Sequence, residues 1–161
     1  MGLTALAFLA LLGVSWPSPG VPSQDASLIQ KLIHSDEEGR LWAVQALAER
    51  HRAGQIGPGT EQHLRNLYAE PQTSADARIH IILYFGEVVR AADDDTTWIW
   101  LLEKYRSETD PGLKVALMHS LGEVGQVDPA TVSPVSLLRH RRQYKATCAQ
   151  KILNPQVPAK P

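Results

Sequence analysis

Apolar positions along this chain recur at three- and four-residue spacing, the period of a helix with one buried face. Three stretches carry the pattern in a common register and align without gaps. They are Arg40 to Glu49 (RLWAVQALAE), Arg78 to Glu87 (RIHIILYFGE) and Lys114 to Glu123 (KVALMHSLGE). Each opens on a basic residue and closes on a bulky apolar residue, then Ala or Gly, then Glu. The offsets between copies are 38 and 36 residues. The spacing places Leu41, Val44, Leu47 and Ala48 on one helix face. Ile79, Ile82, Phe85 and Gly86 match them in the second copy, and Val115, Met118, Leu121 and Gly122 in the third. These sets are the expected core.

Ala48, Gly86 and Gly122 share one aligned position. Glycine inside a helix costs about 1 kcal/mol relative to alanine. Small residues recurring there predict a close crossing of neighbouring helices. Asp36 and Asp110 precede the basic residue by one helical turn, where each can cap the helix and pair with Arg40 or Lys114. In the second copy Ser74 or Asp76 takes the cap. Shorter periodic stretches lie between and after the long ones: Asp25–His34, Thr60–Ala69, Asp95–Ser107 and Ser133–Gln143. Pro58, Pro71, Pro111, Pro129 and Pro134 all fall at junctions or first turns, where proline is tolerated. No strand pattern competes, so the predicted class is all-α. Trp98, Leu101, Leu102 and Tyr105 form a further core stripe, with Trp100 off it.

The Asp-x3-basic opening, the apolar spacing and the Leu121-Gly122-Glu123-Val124-Gly125 ending resemble the HEAT-like repeat family. The resemblance covers Asp36 to Gln126 and implies a short right-handed α-solenoid of about three helix pairs. The first helix and the last, Arg142 to Leu153, would cap it. It also implies a concave face that binds partners. Opposite the expected core face lie Trp42, Ala46 and Glu49, then His80, Tyr84 and Glu87, then Ala116, Ser120 and Glu123. Trp42, Glu49, His80, Tyr84, Glu87, Ser120 and Glu123 are therefore the candidate partner-binding residues. Trp42 on such a face is either a contact residue or is covered by the first helix.

The chain ends carry a different signal. Leu3 to Val14 is a run in which only Thr4 and Gly13 are not apolar, and the first charged residue is Asp25. That run suits a secretory signal peptide and falls short of the roughly 20 residues that span a bilayer. Small residues at Gly13 and Ser15 suit cleavage after Ser15, with Gly20 a second candidate. Without cleavage, residues 3–14 would be an apolar anchor. Residues 1–20 are thus read as signal peptide or anchor, 21–24 as a proline-rich spacer, 25–153 as the helical domain and 154–161 as a tail.

Charge sharpens the picture through its distribution. Residues 25–128 hold 17 acidic and 10 basic side chains, a net −7, whereas residues 129–161 hold no acid and six bases. Arg139, Arg141, Arg142 and Lys145 in that basic end are candidates for an anionic partner. Catalytic chemistry finds little footing. His119 and Glu123 have ligand spacing on a helix, but no second pair completes a zinc site, so no metal and no cofactor is expected. Asp93-Asp94-Asp95 lacks the alternation and glycine of a calcium loop and reads as a helix cap. Cys148, the lone cysteine, sits on an apolar stripe with Tyr144 and Ile152, with no aligned histidine to activate it.

These features point to a non-catalytic, exported (periplasmic or extracellular) scaffold that binds another protein through the concave face. The alternative is a HEAT-like enzyme acting on nucleic acid or another anionic substrate through the basic C-terminal helix. The acidic repeats and the export signal argue against nucleic acid. Membrane association would come only through an uncleaved N-terminus.

Overall fold

The computed structural model describes residues 21–92, 94–122 and 133. Among them are six α-helices and no strand: α1 (Ser23–His34), α2 (Glu37–Arg52), α3 (Thr60–Ala69), α4 (Ala75–Ala92), α5 (Asp95–Ser107) and α6 (Pro111–Leu121). The expected signal segment and tail, and, Ser133 apart, the helices expected at Ser133–Gln143 and Arg142–Leu153, lie outside the described residues.

Local chemistry sets the helix starts. Asp36 caps α2 by accepting from Gly39 N at 3.0 Å, and Asp110 caps α6 by accepting from Leu113 N at 2.9 Å. Ser74 takes the cap of α4, accepting from Ala77 N at 3.2 Å. Asp94 caps α5 through Thr96 N at 2.9 Å, as the aspartate run predicted. Pro111 occupies the first turn of α6, where its missing N–H costs nothing. Helix α1 opens at Ser23, so Ser23 and Gln24 belong to the helix rather than to a spacer. Arg40 reaches Asp76 of α4 at 3.6 Å instead of Asp36 one turn away, and Lys114 lies over the Tyr105 ring at 5.6 Å.

The long helices α2, α4 and α6 pack side by side with α4 in the middle, while α1, α3 and α5 pack against them. One core runs through all six, including Ile29, Leu47, Leu64, Phe85, Trp98 and Leu117. The small-residue crossing is seen at Gly86, where an added Cβ would stand 2.7 Å from Ser120 Oγ and 2.8 Å from its Cβ. Gly122 acts differently. With φ of 73° it ends α6 in a conformation that side chains disfavour.

At about 100° per residue, aligned positions point the same way in all three copies. Positions 47, 85 and 121 are buried. Phe85 meets the Trp100 ring of α5 at 4.8 Å, and Trp98 Nε1 of α5 donates to the Leu121 carbonyl at 3.1 Å. Positions 82 and 86 turn toward the next long helix, since Ser120 Oγ donates to the Ile82 carbonyl at 3.2 Å. Positions 84 and 120 turn toward the preceding one. The remaining sector, at 41, 79 and 115, faces outward.

The phase of the helices therefore differs from that expected from the sequence. Leu41, Val115 and Met118 are exposed, while Ala43, Ile81 and Leu117 are fully buried in their stead. Helix α4 is flanked on both sides and is apolar nearly all round, so its periodicity alone does not single out one inward face.

Candidate functional site

The outward sector builds one surface across the three long helices. Leu41 and Gln45 of α2 are exposed, Ile79 and Leu83 of α4 are half-buried, and Val115 and His119 of α6 are exposed. Leu41 is 42% exposed and Val115 is 67% exposed, so apolar side chains hold equivalent places at both ends of the row. Ile79 occupies the same place between them and leans on the core. Acidic residues border the ridge: Glu38 and Glu49 on α2, Asp76 and Glu87 on α4. Asp76 faces Arg40, and Glu87 accepts from Arg90 at 2.6 Å, so much of that border is already partnered.

Trp42 flanks the ridge and is 51% exposed, with the Lys31 ammonium of α1 4.0 Å from its ring centroid. The first helix therefore contributes a cation to this tryptophan without covering it. Glu49 is exposed and Glu87 half-buried at the rim.

Three other expected contact residues are inside. His80 is buried, with Nδ1 2.7 Å from the Asp76 carbonyl. Tyr84 is fully buried beside Phe85, with ring centroids 5.1 Å apart. Ser120 is buried against Gly86. Each holds a position that turns toward the preceding long helix: His80 is the counterpart of Trp42, whereas Tyr84 and Ser120 are counterparts of Ala46, which is half-buried on α2. These three do not form a surface. Glu123, Arg139, Arg141, Arg142, Lys145 and Cys148 lie outside the described residues.

Two polar clusters were not foreseen from the sequence. The Asp25 carboxylate is buried and accepts from Arg50 Nε at 2.8 Å, Gly57 N at 2.9 Å and Thr60 Oγ1 at 2.7 Å. Arg50 also donates to Gln24 and to the Gln55 carbonyl, tying α1, α2 and the following loop together. Burial pushes the Asp25 carboxyl up, but the three donors and the Arg50 charge outweigh it and hold it below its ordinary value. Both carboxylate oxygens are engaged, which makes this a structural clasp and not a reactive acid.

The second cluster surrounds Trp100, the tryptophan that fits no apolar stripe. Its ring meets the Tyr68 ring edge-on at 5.5 Å, with Arg65 at 5.0 Å and Lys104 at 5.9 Å from its centroid. Arg65 also donates to Thr97 Oγ1 at 3.0 Å, and Tyr68 OH donates to Glu108 at 3.0 Å. Cations stacked on aromatic faces seal α3 against α5.

Among the described residues, no three His, Cys, Asp or Glu side chains gather where a metal ion could sit, and no helix is long and apolar enough to cross a membrane. Fold and surface together define an all-α protein whose row of long helices presents an apolar ridge. No family model, curated protein or solved structure matches the chain.

Proposed function

We propose that this protein is an exported, non-catalytic interaction module, a short right-handed HEAT-like solenoid that binds another protein along the open face of α2, α4 and α6. The observation that carries the reading is the ridge of Leu41, Ile79 and Val115, with Trp42 at its flank. Aligned positions leave Leu41 of α2 and Val115 of α6 exposed, with Ile79 of α4 half-buried between them, where solubility alone would favour charge. The partner this face suits offers apolar anchors along one edge, such as an amphipathic helix laid across the three helices. Export rests on the apolar run from Leu3 to Val14.

Site-specific photocrosslinking in the native host tests the reading. A photoreactive residue at Leu41 or Val115 is expected to trap one discrete partner, and the same residue at Gln62 of α3 is expected to trap none. Leu41→Glu with Val115→Glu should abolish the adduct without lowering thermal stability. Equal, diffuse labelling from all three sites would refute the reading. Intact-mass analysis of the fractionated protein checks the address: a soluble chain beginning near Trp16 or Val21 is expected, and a full-length cytosolic chain would overturn export.

A further inference from the structure

Charge is unevenly spread over the outward sector. On α2, Glu37, Glu38, Gln45 and Glu49 are exposed and lie within about 80° of Leu41 around the helix. Ion pairs among the described residues join Arg40 to Asp76, Arg50 to Asp25, His51 to Glu61 and Arg90 to Glu87, and none includes Glu37, Glu38 or Glu49. Lys31 lies over the Trp42 ring, and Arg52 turns its Nε back to the Ala48 carbonyl at 3.4 Å. On α4 the bordering Asp76 and Glu87 are each paired with an arginine. On α6 the outward residues Gly112, Val115 and His119 bring no carboxylate, lysine or arginine. The face is thus acidic at α2, balanced at α4 and free of acid at α6. We propose that the segment it receives is a basic amphipathic helix laid across the row, with its lysines and arginines over α2 and apolar or neutral residues over α6. This rests on the reading of the ridge as a binding face and adds the chemistry of the partner.

Charge and spacing select that occupant. Unpaired carboxylates on one helix attract a cationic segment and repel an acidic segment or an anionic lipid surface. The exposed Trp42 ring at the same end favours cations too, and Lys31 already lies on it. A second copy would present the same acids, and residues 25–128 carry a net −7, so like charges oppose self-pairing. Adjacent helices in such a row pack about 8–10 Å apart, and two turns of a helix advance about 10.5 Å. Apolar anchors seven residues apart therefore meet Leu41, Ile79 and Val115 in turn, and a helix of about 15 residues spans all three.

A displayed peptide library provides the probe. Its members are amphipathic helices of about 18 residues, with apolar anchors fixed at seven-residue spacing and the remaining positions drawn equally from Lys, Glu and Gln. Selection on the intact protein, against the Leu41→Glu, Val115→Glu variant, is expected to enrich sequences of net positive charge gathered toward one end. Their binding should weaken with added salt. Each exposed pair is weak alone, so Glu38→Lys with Glu49→Lys should lower affinity about tenfold without lowering thermal stability. Neutral or acidic winners, or an affinity unchanged by those two substitutions, would overturn the basic partner and leave the ridge as a binding face. No enrichment over the Leu41→Glu, Val115→Glu variant would overturn the ridge itself and this inference with it. A dimer of the intact protein that Leu41→Glu and Val115→Glu disperse would assign the ridge to a second copy and overturn the proposal.

Discussion

Ser120 packs directly on Gly86: a Cβ at position 86 would lie 2.8 Å from the Ser120 Cβ and 3.1 Å from its Cα. Backbone stands behind that contact, so α4 and α6 must separate to admit even a methyl group. Alanine would gain about 1 kcal/mol of helix propensity, and overpacking typically costs about 1–3 kcal/mol. Gly86→Ala is expected to destabilise by up to about 2 kcal/mol net in urea unfolding. A double-mutant cycle with Ser120→Gly should recover most of the loss. A more stable Gly86→Ala variant would mean that the two helices are not held this close.

Asp25 and Arg50 set the acid stability. The folded-state pKa of Asp25 is depressed below its ordinary 3.8. A depressed carboxyl stabilises the fold above the unfolded value and loses that contribution as pH falls through the folded one. Stability should therefore be insensitive to this group at neutral pH and fall below about pH 4. Asp25→Asn removes the charge that pairs with a half-buried guanidinium and leaves an amide N–H among donors, and is expected to cost about 1–3 kcal/mol at pH 7. It should also flatten the acid limb of the stability profile. An unchanged acid limb in that variant would assign the pH dependence elsewhere.

Tyr84 carries a buried hydroxyl with no hydrogen-bond partner among the described residues. Replacing it by phenylalanine removes an unpaired polar group and is expected to be neutral or to stabilise by up to about 1 kcal/mol. A loss larger than that would reveal a partner for the hydroxyl. Burial raises the pKa of Tyr84, and burial with the Glu108 carboxylate raises that of Tyr68. Groups raised in the folded state contribute stability below their unfolded value near 10.0 and lose it as pH climbs. Spectrophotometric titration should show these two of the four tyrosines silent until the protein unfolds. Four normal titrations in the folded protein would contradict their burial.

Val115 and Leu117 test the phase of α6. Leu117 is fully buried and Val115 is 67% exposed, although sequence spacing put Val115 in the core. Leu117→Ala is expected to cost about 2–5 kcal/mol. Val115→Ser should stay within about 0.5 kcal/mol of the parent. The reverse order in thermal or urea unfolding would restore the sequence-derived face.

The positions of the helices were legible in the amino-acid order. Thr60–Ala69 and Asp95–Ser107 match their expected bounds, because caps and period are local properties that neighbouring residues settle. Asp36, Asp110 and Ser74 were legible as caps, and Gly86 as a close crossing, for the same reason. Of the candidate site, Trp42, Glu49 and Glu87 were read at or near the surface; His80, Tyr84 and Ser120 were not read as buried. Which side of each helix is covered is not a local property. It depends on how many neighbours a helix has and in which directions they lie. A central helix such as α4 is apolar on several sides, while α2 and α6 each leave an edge without a long-helix neighbour among the described residues, at Trp42 and Met118. The same holds for Asp25, whose donors Arg50, Gly57 and Thr60 lie 25, 32 and 35 residues away along the chain. Packing of α1 on α2 and α3 is what brings them together, and there a lone acidic residue near the start of a helix becomes a buried and fully bonded clasp.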